Sequence, residues 1–244
     1  MMPKALVLSS GGVDSTTCLG LAVAEHGAEN VVSVSMFYGQ KHKRELQAAE
    51  DVAKHYKVPH YVLDLSVIFE HSNCPLLGHS TAEVPEGDYA DQIGRNENGM
   101  VATYVPFRNG LFLSSAASLA SSLFPNDEVI IYIGAHADDA AGNAYADCSE
   151  HFIDAMNDAI FIGTYKKVSI KAPFANKNKA QVVAEGIKLK VPYGYTWSCY
   201  NGGDGLPCGK CGTCIDRAKA FEANGVPDPA IERLIAKEVI SDGV

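Results

Sequence analysis

Two residue patterns in this chain have the types and spacing of chemical sites. The first, Ser10-Gly11-Gly12-Val13-Asp14-Ser15, follows Leu6-Val7-Leu8 and reads as a strand, a tight turn and a helix start. Adjacent glycines let backbone approach a ligand with no Cβ in the way, and the free N–H groups of a first helical turn point at it. Such a turn binds phosphate through backbone donors and the positive end of the helix dipole. Ser10 and Ser15 add hydroxyls, and Asp14 suits a Mg²⁺ that shields the phosphates. A plainer reading uses Gly and Ser only for tightness, with Asp14 and Ser15 as helix caps. The pattern is neither Gly-Lys-Ser/Thr nor Gly-x-Gly-x-x-Gly.

The second pattern is Cys199, Cys208, Cys211 and Cys214, with eight, two and two residues between them. Gly202, Gly203, Gly205, Pro207, Gly209 and Gly212 supply the tight turns that bring the thiols together. Four thiolates on such knuckles form a closed tetrahedral Zn²⁺ site, one per chain. Two-residue gaps also occur around iron–sulfur clusters, which keeps that alternative open. No neighbouring His or carboxylate suggests an open catalytic position, so the role expected is structural.

The elements that must position these residues follow from periodicity. Lys4 to Leu8, Val31 to Met36, His60 to Leu65, Glu128 to Ile133 and Val168 to Lys171 are short apolar runs of strand type. Helical patterns fall at Ser15 to His26, Lys43 to Tyr56, Leu111 to Leu123, Phe152 to Ile160, Asp216 to Ala223 and Pro229 to Val239, and Asn176-Lys177-Asn178-Lys179 reads as a polar helix start. Alternating strands and helices predict an α/β fold: a doubly wound, mostly parallel five-stranded sheet. The segment from Ser66 to Tyr104 has two prolines and no sustained periodicity, and is expected to be an insert or lid. After Pro192 the composition turns Gly- and Cys-rich, which predicts a first domain over 1–195 and a small metal-organised helical appendage over 196–244.

The chain has 244 residues, 47% hydrophobic and 20% charged, with net charge −9. Disordered and low-complexity classes are excluded at this composition. The longest apolar run, Val129 to Ile133, is far short of the roughly 20 residues of a membrane helix. The N-terminus has too few apolar residues for a signal-peptide core, and an odd count of seven cysteines suits metal-held thiols in a reducing compartment; the expected location is cytoplasmic. The acidic balance argues against nucleic acid as a partner. The expected assembly is a homodimer.

Ser10 to Ser15 resembles the Ser-Gly-Gly-x-Asp-Ser pyrophosphate loop, or PP-loop, of the ATP-pyrophosphatase superfamily. With the cysteines, several further segments resemble the 7-cyano-7-deazaguanine synthase family of queuosine biosynthesis: Phe37-Tyr38-Gly39-Gln40 with His42 and Glu45, Tyr104 to Asn109, Tyr145 to Cys148 with Phe152, Asn178-Lys179-Ala180, Thr196 to Asn201, and Arg217. The resemblance runs from Lys4 to about Gly225. It departs where the family has Tyr-Pro-Asp-Cys-Arg and this chain has Tyr145-Ala146-Asp147-Cys148-Ser149, which puts in question a pocket contact from a basic side chain there.

The resemblance implies ATP-dependent conversion of 7-carboxy-7-deazaguanine and ammonia to the nitrile, through an adenylated carboxylate and an amide. ATP with Mg²⁺ is then expected against Leu8, Ser9, Ser10, Gly11, Gly12, Val13, Asp14, Ser15, Thr16, Thr17 and Cys18, with adenine near Met36. Arg108 and Lys179, alongside Asp14 and Ser15 as catalytic residues, are expected to neutralise charge on the α-phosphate. Tyr38, Gln40, Asp139, Tyr145 and Asp147 are the residues expected to meet the deazaguanine. Cys148 reads as a satisfied buried thiol rather than a nucleophile, and His136 and Trp197 read as ordinary packing. The rival readings are a tRNA-thiolating enzyme and a non-catalytic ATP sensor.

Overall fold

In the computed structural model of the protein, the described residues are 2–88, 92, 101–140, 145–202 and 205–241, less the side chains of 139, 140 and 237–241. Five parallel strands, β1 (Lys4–Leu8), β2 (Val31–Phe37), β3 (His60–Asp64), β4 (Val129–Tyr132) and β5 (Val168–Lys171), pair in the order β3-β2-β1-β4-β5. Strand period sends alternate side chains to opposite faces, and β1 shows the consequence. Leu6 and Leu8 join Val34, Leu113 and Ile131 in one apolar cluster; Ala5 and Val7 join Cys18, Leu19, Val52 and Val182 in another. Both faces are covered, as a parallel sheet requires.

The helices are α1 (Val13–His26), α2 (Arg44–Tyr56), α3 (Arg108–Leu123), a short α4 (Ala137–Ala140), α5 (Glu150–Gly163), α6 (Lys179–Lys188), α7 (Gly212–Ala223) and α8 (Pro229–Ser241). Helix α6 starts at the polar run the sequence marks: Asn178 caps it and Gln181 closes a reciprocal capping box. Two helices start three or more residues earlier than periodicity suggests. Helix α3 begins at Arg108 rather than Leu111, its Asn109 N–H being satisfied by the Asp147 carboxylate from 38 residues away. Helix α7 begins at Gly212 rather than Asp216, because the turn at Cys211 already supplies its first backbone bonds.

The described part of the Ser66 to Tyr104 segment is packed, not merely draped. Phe69, Cys74, Leu76 and Leu77 are buried with Tyr38, Trp197 and Cys199, and Gln40 bridges Leu77. Residues 89–91 and 93–100 of it lie outside the described residues. The chain runs β1 to β2 to β3 on one side and returns to β4 on the other, so the strand order reverses at β1. The C-terminal ends of β1 and β4 flank that switch point, where ligands bind in open α/β sheets.

Candidate active site

The loop between β1 and α1 turns at Gly11, which has φ +79°; a Cβ there would meet the Glu45 carbonyl oxygen at 2.3 Å. Only glycine fits, and the loop thereby lies directly on α2. Gly134, beyond β4, passes equally close: a Cβ would lie 3.0 Å from the Ser15 nitrogen. Gly12 caps α1 with no side-chain hydrogen bond to its first turn, which leaves those N–H groups available to an anion. Ser15 Oγ accepts from Ser10 N–H at 3.1 Å and lies 3.1 Å from Ser10 Oγ, fixing the loop from within.

A cavity opens over this loop. Of the expected residues, Leu8, Ser9, Ser10, Gly12, Asp14, Ser15, Met36, Tyr38, Gln40, Arg108, Tyr145 and Lys179 line it. Gly11, Val13, Thr16, Thr17 and Cys18 do not: Gly11 packs on α2, Val13 is buried with Val183 and Phe221, and the other three turn inward along α1, Thr17 pairing with the Tyr193 hydroxyl at 2.7 Å and Cys18 lying fully buried in the core. Asp147 does not reach the cavity either, since its Oδ2 accepts from Asn109 N–H at 2.9 Å and the residue is buried behind α3. Asp139 belongs to α4, and its side chain lies outside the described residues.

At the loop end, Lys179 Nζ donates to Asp14 Oδ2, with His136 Nε2 3.8 Å from the same oxygen. Burial pushes the Asp14 carboxyl up, but the Lys179 ammonium and the His136 ring more than offset this and hold it below its ordinary value. Asp14 Oδ1 is buried and has no hydrogen-bond partner among the described residues. Such an orphaned carboxylate oxygen beside a phosphate-type loop fits a Mg²⁺ ligand. Asp216 completes this end, its carboxyl raised by burial against the pull of Lys179.

At the far end, the Arg108 guanidinium sits 5.3 Å over the Tyr38 ring and 5.9 Å over Phe112. Among the described residues no carboxylate lies within ion-pair distance of it. Gln40 is held by its own loop, accepting from Tyr38 N–H at 2.8 Å. The Tyr145 hydroxyl pairs with Thr103 at 2.6 Å, and Cys148 accepts from Asn109 Nδ2 at 3.1 Å. Ser149, at the departure from the family pattern, caps α5 by accepting from Phe152 N–H at 3.2 Å.

Several lining residues carry little signal in the sequence. Glu45 stands out there only within a motif, and His136 and Trp197 read as packing, yet all three line the cavity with Asn109, Ser198, Tyr200 and Asp216. Trp197 N–H donates to the Gly11 carbonyl at 2.9 Å, and Arg44 stacks 3.6 Å over the indole. Arg217 secures the same segment, reaching Thr196 and Ser198 hydroxyls at 2.8 and 3.0 Å while paired with Asp228.

That segment leads into the cysteines. The four sulfurs of Cys199, Cys208, Cys211 and Cys214 lie within 4.8 Å of one another. A tetrahedral ion with metal–sulfur bonds of about 2.3 Å places its sulfurs about 3.8 Å apart. The Cys208–Cys214 separation of 4.0 Å fits this. Backbone N–H groups of Asn201 and Cys208 donate to the Cys199 sulfur, and those of Lys210 and Cys211 to the Cys208 sulfur, at 3.3–3.5 Å. Such donors stabilise thiolates, so the cluster is suited to hold a metal.

The parallel sheet with this loop at its switch point defines an open α/β protein built to receive a phosphate-type ligand. The chain belongs to the family of queuosine biosynthesis protein QueC, whose model matches residues 4–225. It is 42% identical over 235 residues to the 7-cyano-7-deazaguanine synthase of Marinobacter nauticus, covering 96% of this chain and 100% of that one. To the enzyme of the same name from Archaeoglobus fulgidus it is 40% identical over 230 residues, 93% of this chain and 90% of that one. Among solved structures, the U34-tRNA thiolase NcsA from Methanococcus maripaludis with its [4Fe-4S] cluster aligns over 100% of this chain and 74% of its own, at TM-score 0.47 and 15% identity. No helix among the described residues is long and apolar enough to cross a membrane.

Proposed function

We propose that this chain is an ATP-dependent carbon–nitrogen ligase that makes 7-cyano-7-deazaguanine from 7-carboxy-7-deazaguanine and ammonia. The observation that carries the reading is one cavity in a QueC-family chain, with an anion-receiving loop at one end and the Arg108 guanidinium among aromatic rings at the other.

The N–H groups of the loop from Ser10 to Ser15 hold the pyrophosphate of ATP, and the apolar end of β2 at Met36 receives adenine. Asp14 would hold a Mg²⁺, which would supply neutralisation of phosphate charge there. The substrate carboxylate oxygen attacks the α-phosphorus, the bond to pyrophosphate breaks, and Lys179 and Arg108 neutralise the charge that develops there. The carboxyl oxygen is thereby turned into part of AMP. Ammonia attacks the acyl carbon, loses a proton and expels AMP to leave the amide. The amide oxygen then repeats the attack on a second ATP, and loss of two N–H protons and the second AMP leaves the nitrile.

Tyr38, Gln40 and Tyr145 contribute the walls of the deazaguanine pocket, the phenols flanking the ring and Gln40 fixing the loop that carries Tyr38. The four cysteines would hold one Zn²⁺, which would supply structural cross-linking of the appendage of residues 196–244 beside the adenylating domain of residues 1–195. A net charge of −9 supports small-molecule partners over nucleic acid. The thiolate cluster supports a reducing, cytoplasmic setting. The test is direct: purified protein given the carboxylate, ammonia, ATP and Mg²⁺ yields AMP, pyrophosphate and the nitrile, whereas protein that consumes no ATP with the carboxylate lacks this function.

A further inference from the structure

Resting on that reading, the chemistry requires protons to leave nitrogen three times per nitrile: once as ammonia becomes amide, and twice as amide becomes nitrile. The phosphate groups and cations that adenylate the substrate do not remove them. A base standing in the cavity on the Arg108 side of the loop would take them.

Several lining groups are unsuited. Asp14 is committed to Lys179, and His136 lies in the same cluster. Asp216 faces Lys179 at the phosphate end. The Tyr38 phenol is pushed up by burial, as is that of Tyr200, and Cys148 is engaged by Asn109. Glu45 differs. Its backbone carbonyl presses on Gly11, so its Cα is fixed beside the pyrophosphate loop by a contact only glycine permits. Its residue lines the cavity, and the charged or titratable groups facing its carboxylate are Arg108 from α3, Tyr38 from the loop after β2, and Tyr200 from the cysteine segment. Among the described residues the carboxylate has no ion-pair or hydrogen-bond partner.

From this placement we infer that Glu45 is the general base that takes the protons from nitrogen, first as ammonia attacks the acyl adenylate and then as the adenylated amide collapses to the nitrile. In each step the N–H pair of electrons moves toward carbon–nitrogen bonding, the carbon–oxygen bond to AMP breaks, and the proton passes to a Glu45 oxygen and on to water. The surroundings of the carboxyl match this role, since burial pushes it up to about 7, with Arg108 pulling it back. A carboxyl titrating there is ionised enough to accept a proton and basic enough to hold it.

The amide half-reaction separates this base from the adenylating machinery, because it needs no ammonia. Wild-type protein and Glu45→Gln are compared in carboxylate-dependent exchange of pyrophosphate into ATP, and in formation of nitrile and AMP from supplied 7-amido-7-deazaguanine. Glu45→Gln should keep exchange within about threefold and slow nitrile formation by roughly 10²–10⁴, the usual reach of a positioned base. The wild-type rate should rise through about pH 7 as the group ionises, and the variant should lose that rise. Nitrile formation at the wild-type rate with the same pH profile would overturn the assignment. Exchange lost together with nitrile formation would overturn it too, by making Glu45 part of the adenylation site. Absence of exchange in the wild type would instead defeat the synthase reading itself.

Discussion

Trp197 N–H donates to the carbonyl of Gly11 at 2.9 Å, and through this bond the cysteine segment and the phosphate-type loop hold each other in place. Cys199 lies only two residues further on, and Trp197 Nε1 donates to its carbonyl at 3.0 Å. A metal that organises the cysteines would therefore bear on the loop through this backbone link. We expect about one tightly bound Zn²⁺ per chain, since binding free energy at such a site contributes directly to folding. Cys208→Ser, or removal of zinc by a strong chelator, should lower the melting temperature and raise KM for ATP. Elemental analysis checks the first statement; iron with sulfide, or no metal in unchelated protein, would contradict it.

Asp14 and Ser15 sit in the loop with little apolar packing to lose. Asp14→Asn should reduce kcat/KM at limiting ATP by about 10² or more, the scale for losing a charge contact to a transferring group. Ser15→Ala should reduce it by roughly 10-fold. Ser15→Ala should cost less than about 2 kcal/mol of stability, whereas Asp14→Asn, which leaves the mostly buried Lys179 ammonium without its carboxylate, should cost about 3–5 kcal/mol. Wild-type kcat/KM in both variants would remove the loop from the mechanism.

Asp147 lies buried behind α3, away from the cavity. Its carboxylate receives the Asn109 N–H in the first turn of α3, one residue beyond Arg108. Asp147→Ala should cost about 1–2 kcal/mol, the value of a helix-start contact. It should also slow turnover by at least about tenfold, because small misplacements of a positioned cation are costly. Thermal unfolding and steady-state rates check the pair of effects; loss of deazaguanine affinity with α3 unshifted would show Asp147 to be a substrate contact.

What can be read in the sequence is whatever is local. The five strands, the loop of Ser10 to Ser15 and the four cysteines declare themselves by periodicity and spacing, and the structure assembles them as one sheet, one cavity wall and one sulfur cluster. Contacts across distant chain segments are not legible. Asp147 looks like a ring-binding carboxylate until folding turns it toward Asn109. Thr17 and Cys18 continue the loop in sequence, but one turn of α1 rotates them into the core. Glu45 and His136 carry no signal of their own, since α2 and the end of β4 reach the loop only when the sheet forms. The buried run at Cys74 to Leu77 reads as loop because its partners, Tyr38 and Trp197, are far away in the chain.

In the proposed reaction both carboxylate oxygens leave on AMP. Hydroxide is a poor leaving group, water having a pKa of about 15.7, so each departure needs activation. The decisive measurement gives the enzyme 7-carboxy-7-deazaguanine labelled with ¹⁸O in both carboxylate positions, together with ammonia and unlabelled ATP, and follows the label. Attack on the α-phosphorus at each stage predicts two AMP per nitrile, each carrying one ¹⁸O, with an amide that keeps a single label. Label in inorganic phosphate with ADP as the co-product would contradict this by placing activation on the γ-phosphate, and label released only into water would contradict oxygen activation at either stage.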